Sequence, residues 1–373
     1  VALCGPRHGR DPDREAHRWG RTRGRIDFHG GTVAVERPRV RAPAGGEVPL
    51  ASWEAAQADD WLGRWAMNLM LINVSTRRFG RAVRLPEGDV PASPGDSRSK
   101  SAVSRRFVEL SAERMAAWMA KDLSELDLLA IQIDGLHVGA DLVLLAAVGI
   151  DGEGAKHPLA VVEGASESAA TVQALLDNLT GRGLDPAVPR LFIVDGAKAL
   201  TKAIRATFGR TTPIQRCQVH KGRNIVERLP CRLHAQVKRA LRQAWELDDA
   251  DKARRLIENL ARSLEREAPG VSASILEGLD EILTVTRLGM ELRRSLACTN
   301  IIENMNGTVR RVCGNVKRWR DASMALRWTA AGMIEADKGF RRLQGRKHLP
   351  LLRAALAAHQ AKQLTLERPS KAA

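Results

Sequence analysis

The chain contains no tyrosine. That absence removes every enzyme that attacks a phosphodiester with a tyrosyl oxygen, so tyrosine recombinases, tyrosine topoisomerases and tyrosine relaxases are excluded. Aromatics make up only 4% of the 373 residues, so the core has to be built from aliphatic side chains. Five cysteines at irregular positions, in a chain long enough for a real core, do not make a disulfide scaffold. The expected setting is a reducing cytoplasm. No apolar run has the length to span a bilayer and no signal peptide is visible, so no membrane partner is expected. Internal repeats, a P-loop and a dinucleotide fingerprint are missing too. Acid is short relative to base. Lys and Arg number 59 against 43 Asp and Glu, leaving a formal net charge of +16 that suits a polyanionic partner.

Two apolar runs end in Asp-Gly, at 128–135 (LLAIQIDG) and 190–196 (RLFIVDG). Short aliphatic runs closed by a turn pair read as buried strands. A carboxylate at such a strand exit is costly unless a cation compensates it. Downstream, 299–307 (TNIIENMNG) reads as a helix carrying a glutamate. Asp134, Asp195 and Glu303 together describe an all-oxygen site for divalent metal, the layout used in phosphoryl transfer. Asp-Gly is also a common turn, and a third copy, Asp151-Gly152, closes the second strand of a meander predicted over 133–138, 141–150 and 157–163. Asp151 therefore lies at the opposite edge from Asp134. Asp195 instead follows a crossover helix over 168–182, which makes its strand parallel to the first and puts it at Asp134's edge. On the third segment Ile302, Met305, Val309 and Val312 form an apolar stripe, while Glu303, Gly307 and Arg310 form another. Glu303 can face the sheet edge, Gly307 permits backbone approach, and Arg310 can hold a phosphate. Spacing alone allows equally a surface Glu beside a surface Arg.

Composition divides the chain. Residues 1–48 are basic, with ten Arg against five acids in the first 41, and Gly30-Gly31 signals a β-hairpin between 25–29 and 32–37. Residues 49–122 read as helical: an amphipathic helix over 53–73, a short one over 75–84, a Pro/Gly/Ser loop over 86–97, and a helix over 99–119. Lys100, Ser104, Arg105 and Arg106 near the start of that last helix suit either a groove-reading helix of a helix-turn-helix unit or a solvated basic face. A core over 123–221, a helical insertion over 222–296 (segments 233–247 and 249–267) and closing helices over 297–345 follow. Asp321 caps a helix predicted to reach about 343. Residues 346–373 form a basic helix and tail. Cys217-x-x-His220 and Cys231-x-x-His234 imitate zinc spacing. The second pair, however, falls on a helix start, where it can flank the apolar side. Cys217 and His220 read better as a strand-end feature beside the site. Trp319, after Lys317 and Arg318, suits base stacking or the core.

The order IDG, VDGAKAL, RCQVHK, TNIIENMNG, NVKRW resembles the mutator-type transposases of bacterial insertion sequences, over about residues 37–356. The resemblance implies an α/β fold with a ribonuclease-H-like core, a mixed sheet flanked by helices, interrupted by an all-α insertion and preceded by a helix-turn-helix-type DNA-binding region. It implies a DDE triad of Asp134, Asp195 and Glu303, and a Cys-x-x-His signature at Cys217 and His220 that shapes the active site. It favours DNA contacts at Lys100, Ser104, Arg105, Arg106, Arg310, Lys317, Arg318 and Trp319. Two Mg²⁺ ions, with Mn²⁺ as substitute, would sit ~3.5–4 Å apart between the acids. They would serve cutting of the element's ends and joining to target DNA at the bacterial nucleoid, by a homodimer or larger assembly pairing two ends. A serine recombinase would need a Ser clustered with Arg in an apolar setting, which is not visible. Residues 289–298 are a few shorter than is usual for the family, so a catalytically decayed, transposase-derived DNA-binding protein is the alternative.

If residues 1–122 carry end recognition, a fragment of that span binds element-end DNA and weakens steeply with salt. Lys100→Ala or Arg105→Ala lowers that binding in a mobility-shift titration. A core-only fragment that keeps full end selectivity would show the recognition helix to be misplaced.

Overall fold

The computed structural model describes residues 3–5, 14–28, 31–58, 61–74, 100–138, 142–165, 168–287 and 290–367. It divides into two compact units, Val1–Arg114 and Met115–Ala373.

In the first unit β1 (His17–Phe28) and β2 (Gly31–Arg41) form an antiparallel hairpin, paired from Phe28↔Gly31 out to His17↔Arg41. It runs well beyond the span marked by the Gly-Gly turn. Gly24 lies against the Trp53 ring, where an added Cβ would meet the indole at 2.3 Å, and Val33 is buried. The single helix predicted over 53–73 is two, α1 (Ala51–Ala58) and α2 (Trp61–Leu71). Residues 59 and 60, between the two helices, lie outside the described residues. Helix α3 (Lys100–Met119) packs Val103 against Ala66 of α2. Phe107 is buried one turn on, whereas Ser104 and Arg105 are exposed and Arg106 pairs with Glu109 at 2.9 Å. The predicted helix over 75–84 and the loop over 86–97 lie outside the described residues.

The second unit is built on a five-stranded mixed sheet in the order β5-β4-β3-β6-β7. Strands β3 (Leu128–Val138), β4 (Leu142–Asp151) and β5 (Lys156–Glu163) make an antiparallel meander. Helix α4 (Ala169–Gly181), capped by Ser168, crosses over to β6 (Leu191–Val194), which pairs parallel to β3. Helix α5 (Lys198–Phe208) then leads to β7 (Ile214–Arg216), parallel to β6. Strand β3 is buried along almost its whole length because both faces are covered. Leu175, Leu176, Leu200 and Ile204 of α4 and α5 cover one face together with Phe192 of β6. The other is covered by α11 (Met290–Leu296), α12 (Asn300–Val312), α13 (Ala322–Asp337) and α14 (Leu349–Glu367). Between β7 and α11, helices α6 (Gln218–Glu227), α7 (Cys231–Trp245), α8 (Ala250–Leu264), α9 (Val271–Leu276) and α10 (Leu279–Ile282) share a separate aliphatic core.

Asp321 caps α13 by accepting from Met324 N–H. That helix stops at Asp337, short of the predicted 343. The chain turns at Gly339 so that buried Leu343 can donate its N–H to Gly154 O at 2.7 Å, on the β4–β5 turn. Among the described residues no helix is long and apolar enough to cross a membrane.

Helices α12 and α13 meet where Gly332 faces Val309. A Cβ at Gly332 would lie 2.9 Å from Val309 Cα. Helix propensity favours Ala over Gly by up to ~1 kcal/mol, but a backbone atom cannot yield as a side-chain tip can, and overpacking costs ~1–3 kcal/mol. Gly332→Ala is therefore expected to lower the midpoint of thermal unfolding, followed by circular dichroism. An unchanged or higher midpoint would show that the helices can part freely.

Candidate active site

Strand register places the first two acids. Ile133 pairs with Val194 in the parallel β3–β6 ladder, so Asp134 and Asp195 follow at the same edge of the sheet. Asp151 pairs with Leu128 at the other end of β3 and bonds its own hairpin, accepting from Glu153 and Ala155 N–H and facing His157 at 2.8 Å. Asp134 accepts from Gly135 N–H at 2.9 Å, and Asp195 accepts from Ala197 N–H at 2.9 Å just ahead of α5. The third acid comes from α12. Ile302, Met305, Val309 and Val312 are buried, which turns Glu303, Gly307 and Arg310 outward. Gly307 has open space around it, so no backbone approach occurs there, contrary to the sequence expectation. The buried apolar stripe anchors the helix and leaves Gly307 on the outward side.

One cleft of about 880 Å³ brings Asp134, Asp195, Glu303, Arg310 and His220 together, with His137, Arg216, Arg223, Asn224, Asn304 and Asn306 also in its wall. The acids share this cleft without closing on one point: among the described residues no three His, Cys, Asp or Glu side chains converge as a metal cluster. Glu303 faces cations instead, with His220 Nε2 at 3.6 Å and Arg223 Nη1 at 3.9 Å.

Cys217 follows β7 directly, is fully buried, and starts α6, which carries His220. Thr299 occupies the N-cap of α12 but caps nothing; its hydroxyl turns to Cys217 Sγ at 3.7 Å. Gln132, inside β3, donates to Cys298 O at 3.0 Å, and Gln218 N–H donates to Ala297 O at 2.9 Å. These bonds seat the start of the Glu303 helix on the strand that carries Asp134.

Burial is the main reason the Asp134 carboxyl is held above the ordinary aspartate range, and the Asp195 charge adds to it. A Thr299 hydrogen bond, His220 and the Gly135 N–H offset this only in part. His220 holds its proton above the usual imidazole range because Cys217, then Asp134 and Glu303, surround it. Its Nδ1 is buried without a hydrogen-bond partner among the described residues.

Within the RCQVHK segment the sequence pattern points to Cys217 and His220, yet Arg216 and Lys221 also shape the site. Both are buried. Lys221 donates to Glu277 O at 2.7 Å and Arg216 donates to the same oxygen at 3.2 Å. Burial first, then the Arg216 charge, bring the Lys221 ammonium down to about 8. Their role is not readable from sequence because Glu277 lies 61 and 56 residues away. Lys317 and Arg318 are exposed and stand outside the cleft lining, while the half-buried Trp319 packs against the sheet-face core. Lys100, Ser104, Arg105 and Arg106 belong to the helix that opens in the first unit. Cys231 is exposed, and His234 Nε2 bonds Leu229 O at 2.8 Å.

Residues 3–342 match the family described as Transposase, Mutator family. The chain belongs to this family. It is 31% identical to the transposase for insertion sequence element IS6120 of Mycolicibacterium smegmatis over 284 residues, covering 74% of the chain and 85% of the relative. It is 32% identical to the transposase for element IST2 of Acidithiobacillus ferrooxidans, over 45% of the chain and 56% of the relative. The transposase for element IS1081 of Mycobacterium tuberculosis is 26% identical over 99% of the chain and 89% of its own length.

Gly196, directly after Asp195, has φ +103° and would place a Cβ 2.1 Å from Arg216 Nε. A left-handed alanine costs ~1–2 kcal/mol before any clash, and Arg216 Cδ and Cζ would each lie 2.7 Å from the new Cβ as well. Gly196→Ala should lower thermal stability by about 2 kcal/mol or more and impair activity by moving the Asp195 turn. Wild-type stability and activity would mean that Arg216 is not seated beneath this turn.

Proposed function

We propose that this transposase cuts the DNA ends of an insertion sequence and joins them to target DNA, using Asp134, Asp195 and Glu303 as a DDE triad in a ribonuclease-H-like core. One observation carries the reading: two acids at adjacent parallel strand ends and a helix-borne glutamate line a single cleft. The antiparallel meander followed by parallel strands, with a helical segment between the second and third acids, agrees with it.

The donors fit a divalent cation in chemical type. All three are hard oxygen ligands suited to Mg²⁺ or Mn²⁺. The Asp134 carboxyl is held up by burial and by the Asp195 charge, which marks a place short of positive charge. Asp134, Asp195 and Glu303 would hold two Mg²⁺ ions. When bound, Mg²⁺ supplies Lewis acidity that activates an attacking oxygen and stabilises a departing one. The chain's own residues do the rest. Arg310 and Arg223 offer cationic contacts for phosphates entering the cleft. His220 and Arg223 restrain Glu303 from one side. Thr299, Gln132 and Cys217 hold the start of α12 against β3. A dimer or larger assembly pairs the two ends.

Asp134→Ala, Asp195→Ala and Glu303→Gln should each cut labelled end DNA about a thousandfold more slowly or worse, a loss of several kcal/mol. End binding should stay near wild type, because affinity comes mostly from phosphate contacts elsewhere. Mg²⁺ and Mn²⁺ support cutting, Ca²⁺ supports binding alone, and Zn²⁺ rescues neither. Normal cutting by one variant removes that residue from the triad. Binding without cutting by the wild-type chain under every metal would establish the decayed, DNA-binding alternative.

A further inference from the structure

Beside the catalytic cleft lies a second groove, of about 610 Å³, walled by α5 and by the turn between α9 and α10. The two share Gly196 and Arg216, next to the strand end that carries Asp195. Helix α5 buries Leu200, Ala203 and Ile204. That turns Lys198, Lys202 and Arg205 outward, one turn apart, into the groove wall. Arg210 continues the row just past the end of the helix at Gly209. Gly196 and Gly278 bring no side chain to the groove, and Arg216 packs against both. An added Cβ at Gly278 would meet Arg216 Nη1 at 2.8 Å.

The lining holds five cations against two carboxylates, and both carboxylates are engaged. Half-exposed Glu277 faces Arg216 Nη1 at 3.5 Å and Lys221 Nζ at 3.6 Å, both buried cations. Lys198 Nζ comes no nearer to it than 3.9 Å and stays 91% exposed. Glu281 is taken by Arg205 at 3.0 Å. Lys202 and Arg210 are exposed and have no acid partner among the described residues. Unpaired surface cations repel one another and add little to stability, so a row of them calls for an anionic partner. From Lys198 to Arg205 the helix rises ~10 Å, about three steps of a B-DNA strand at ~3.4 Å each.

We infer that this groove holds the DNA backbone on one side of the scissile phosphate, with Lys198, Lys202 and Arg210 on its phosphates. The occupant is DNA because of where the groove lies. A strand whose phosphate sits among Asp134, Asp195 and Glu303 has to leave the cleft, and the wall beside Asp195 leads onto unpaired cations. The inference rests on the proposed cutting of DNA, and it adds the path that the substrate takes beyond Asp195.

The test uses the full chain and end-DNA duplexes that extend to different lengths on either side of the cleavage site. Wild-type KM should fall as one side, and only one, lengthens over about three to six base pairs at ~3.4 Å each. The double variant Lys202→Gln, Arg210→Gln should lose that gain. On the long duplex its KM should rise up to about eightfold for each phosphate no longer neutralised at about 0.1 M salt, and the salt slope should drop by about 0.9 each. Its kcat should match wild type, because contacts made equally in ground and transition states act on KM. On duplexes trimmed at that side the variant and the wild type should not differ. Lys202→Arg with Arg210→Lys should restore the long-duplex KM, which separates charge from fold, and no variant should shift the thermal midpoint. The groove is overturned if the Gln variant keeps wild-type KM and salt slope on every duplex while both proteins cut DNA. It is equally overturned if the variant is impaired alike on trimmed and long duplexes. A wild-type chain that cuts no end DNA under any metal would sink the cutting reading and this path with it.

Discussion

Asp134 brings a carboxylate to a position only 7% exposed, and much of the second unit follows from making that position tolerable. A charge in an apolar setting costs several kcal/mol unless dipoles or counter-charges reach it. Here they come from three elements, two of them distant in the chain. Gly135 supplies a backbone N–H, Thr299 a hydroxyl, and His220 a positive charge. Each arrives from a different element: the strand itself, the cap of α12, and the first turn of α6. The carboxyl still sits above its ordinary range, so these partners leave the charge under-compensated.

The same constraint explains how the long helical segment between β7 and α12 is fastened. Arg216 leaves the last strand and reaches Glu277 O beneath Gly196, while Lys221 reaches the same carbonyl from α6. Two buried cations on one carbonyl repel each other, which is one cause of the lowered Lys221 value, and the Glu277 carboxylate eases that repulsion. Gln215 adds neutral bonds to Ile282 O and from Val285 N–H. The helical segment is thus anchored at the strand end beside Asp195 rather than hung from a flexible link.

Local chemistry is legible in the sequence where a residue's role depends on near neighbours. The Asp-Gly strand ends, the crossover helix, the Asp321 cap and the apolar stripe of α12 all follow from patterns within a few residues. Asp151 is separable from Asp134 because a meander alternates its edges. What stays hidden depends on partners far along the chain. Gly307 has the spacing of a close-approach glycine, yet Gly332 fills that role because it faces Val309 on another helix. Helix α13 ends early so that Leu343 can bond Gly154, which lies far upstream on the β4–β5 turn. Arg216 and Lys221 resemble surface charge beside a motif, and only the fold shows them buried.

The two families of arginine in the chain therefore do different work, and burial tells them apart. Arg216 is enclosed, gives its Nη1 donor to the Glu277 carbonyl that Lys221 also reaches, and fixes geometry; exchanging it for a solvated cation would leave the space under Gly196 unfilled. Arg310 and Arg223 stand at the mouth of the cleft, where their charge is screened and individually weak. Exposed charge of that kind contributes little to stability, so its concentration around an acidic cleft needs another cause. A polyanion supplies one. It brings negative charge to Arg310 and Arg223, and it also competes for the cations that now restrain Glu303. On the proposed reading, a DNA backbone in the cleft would therefore compete with Glu303 for Arg223, whose Nη1 lies 3.9 Å from that carboxylate.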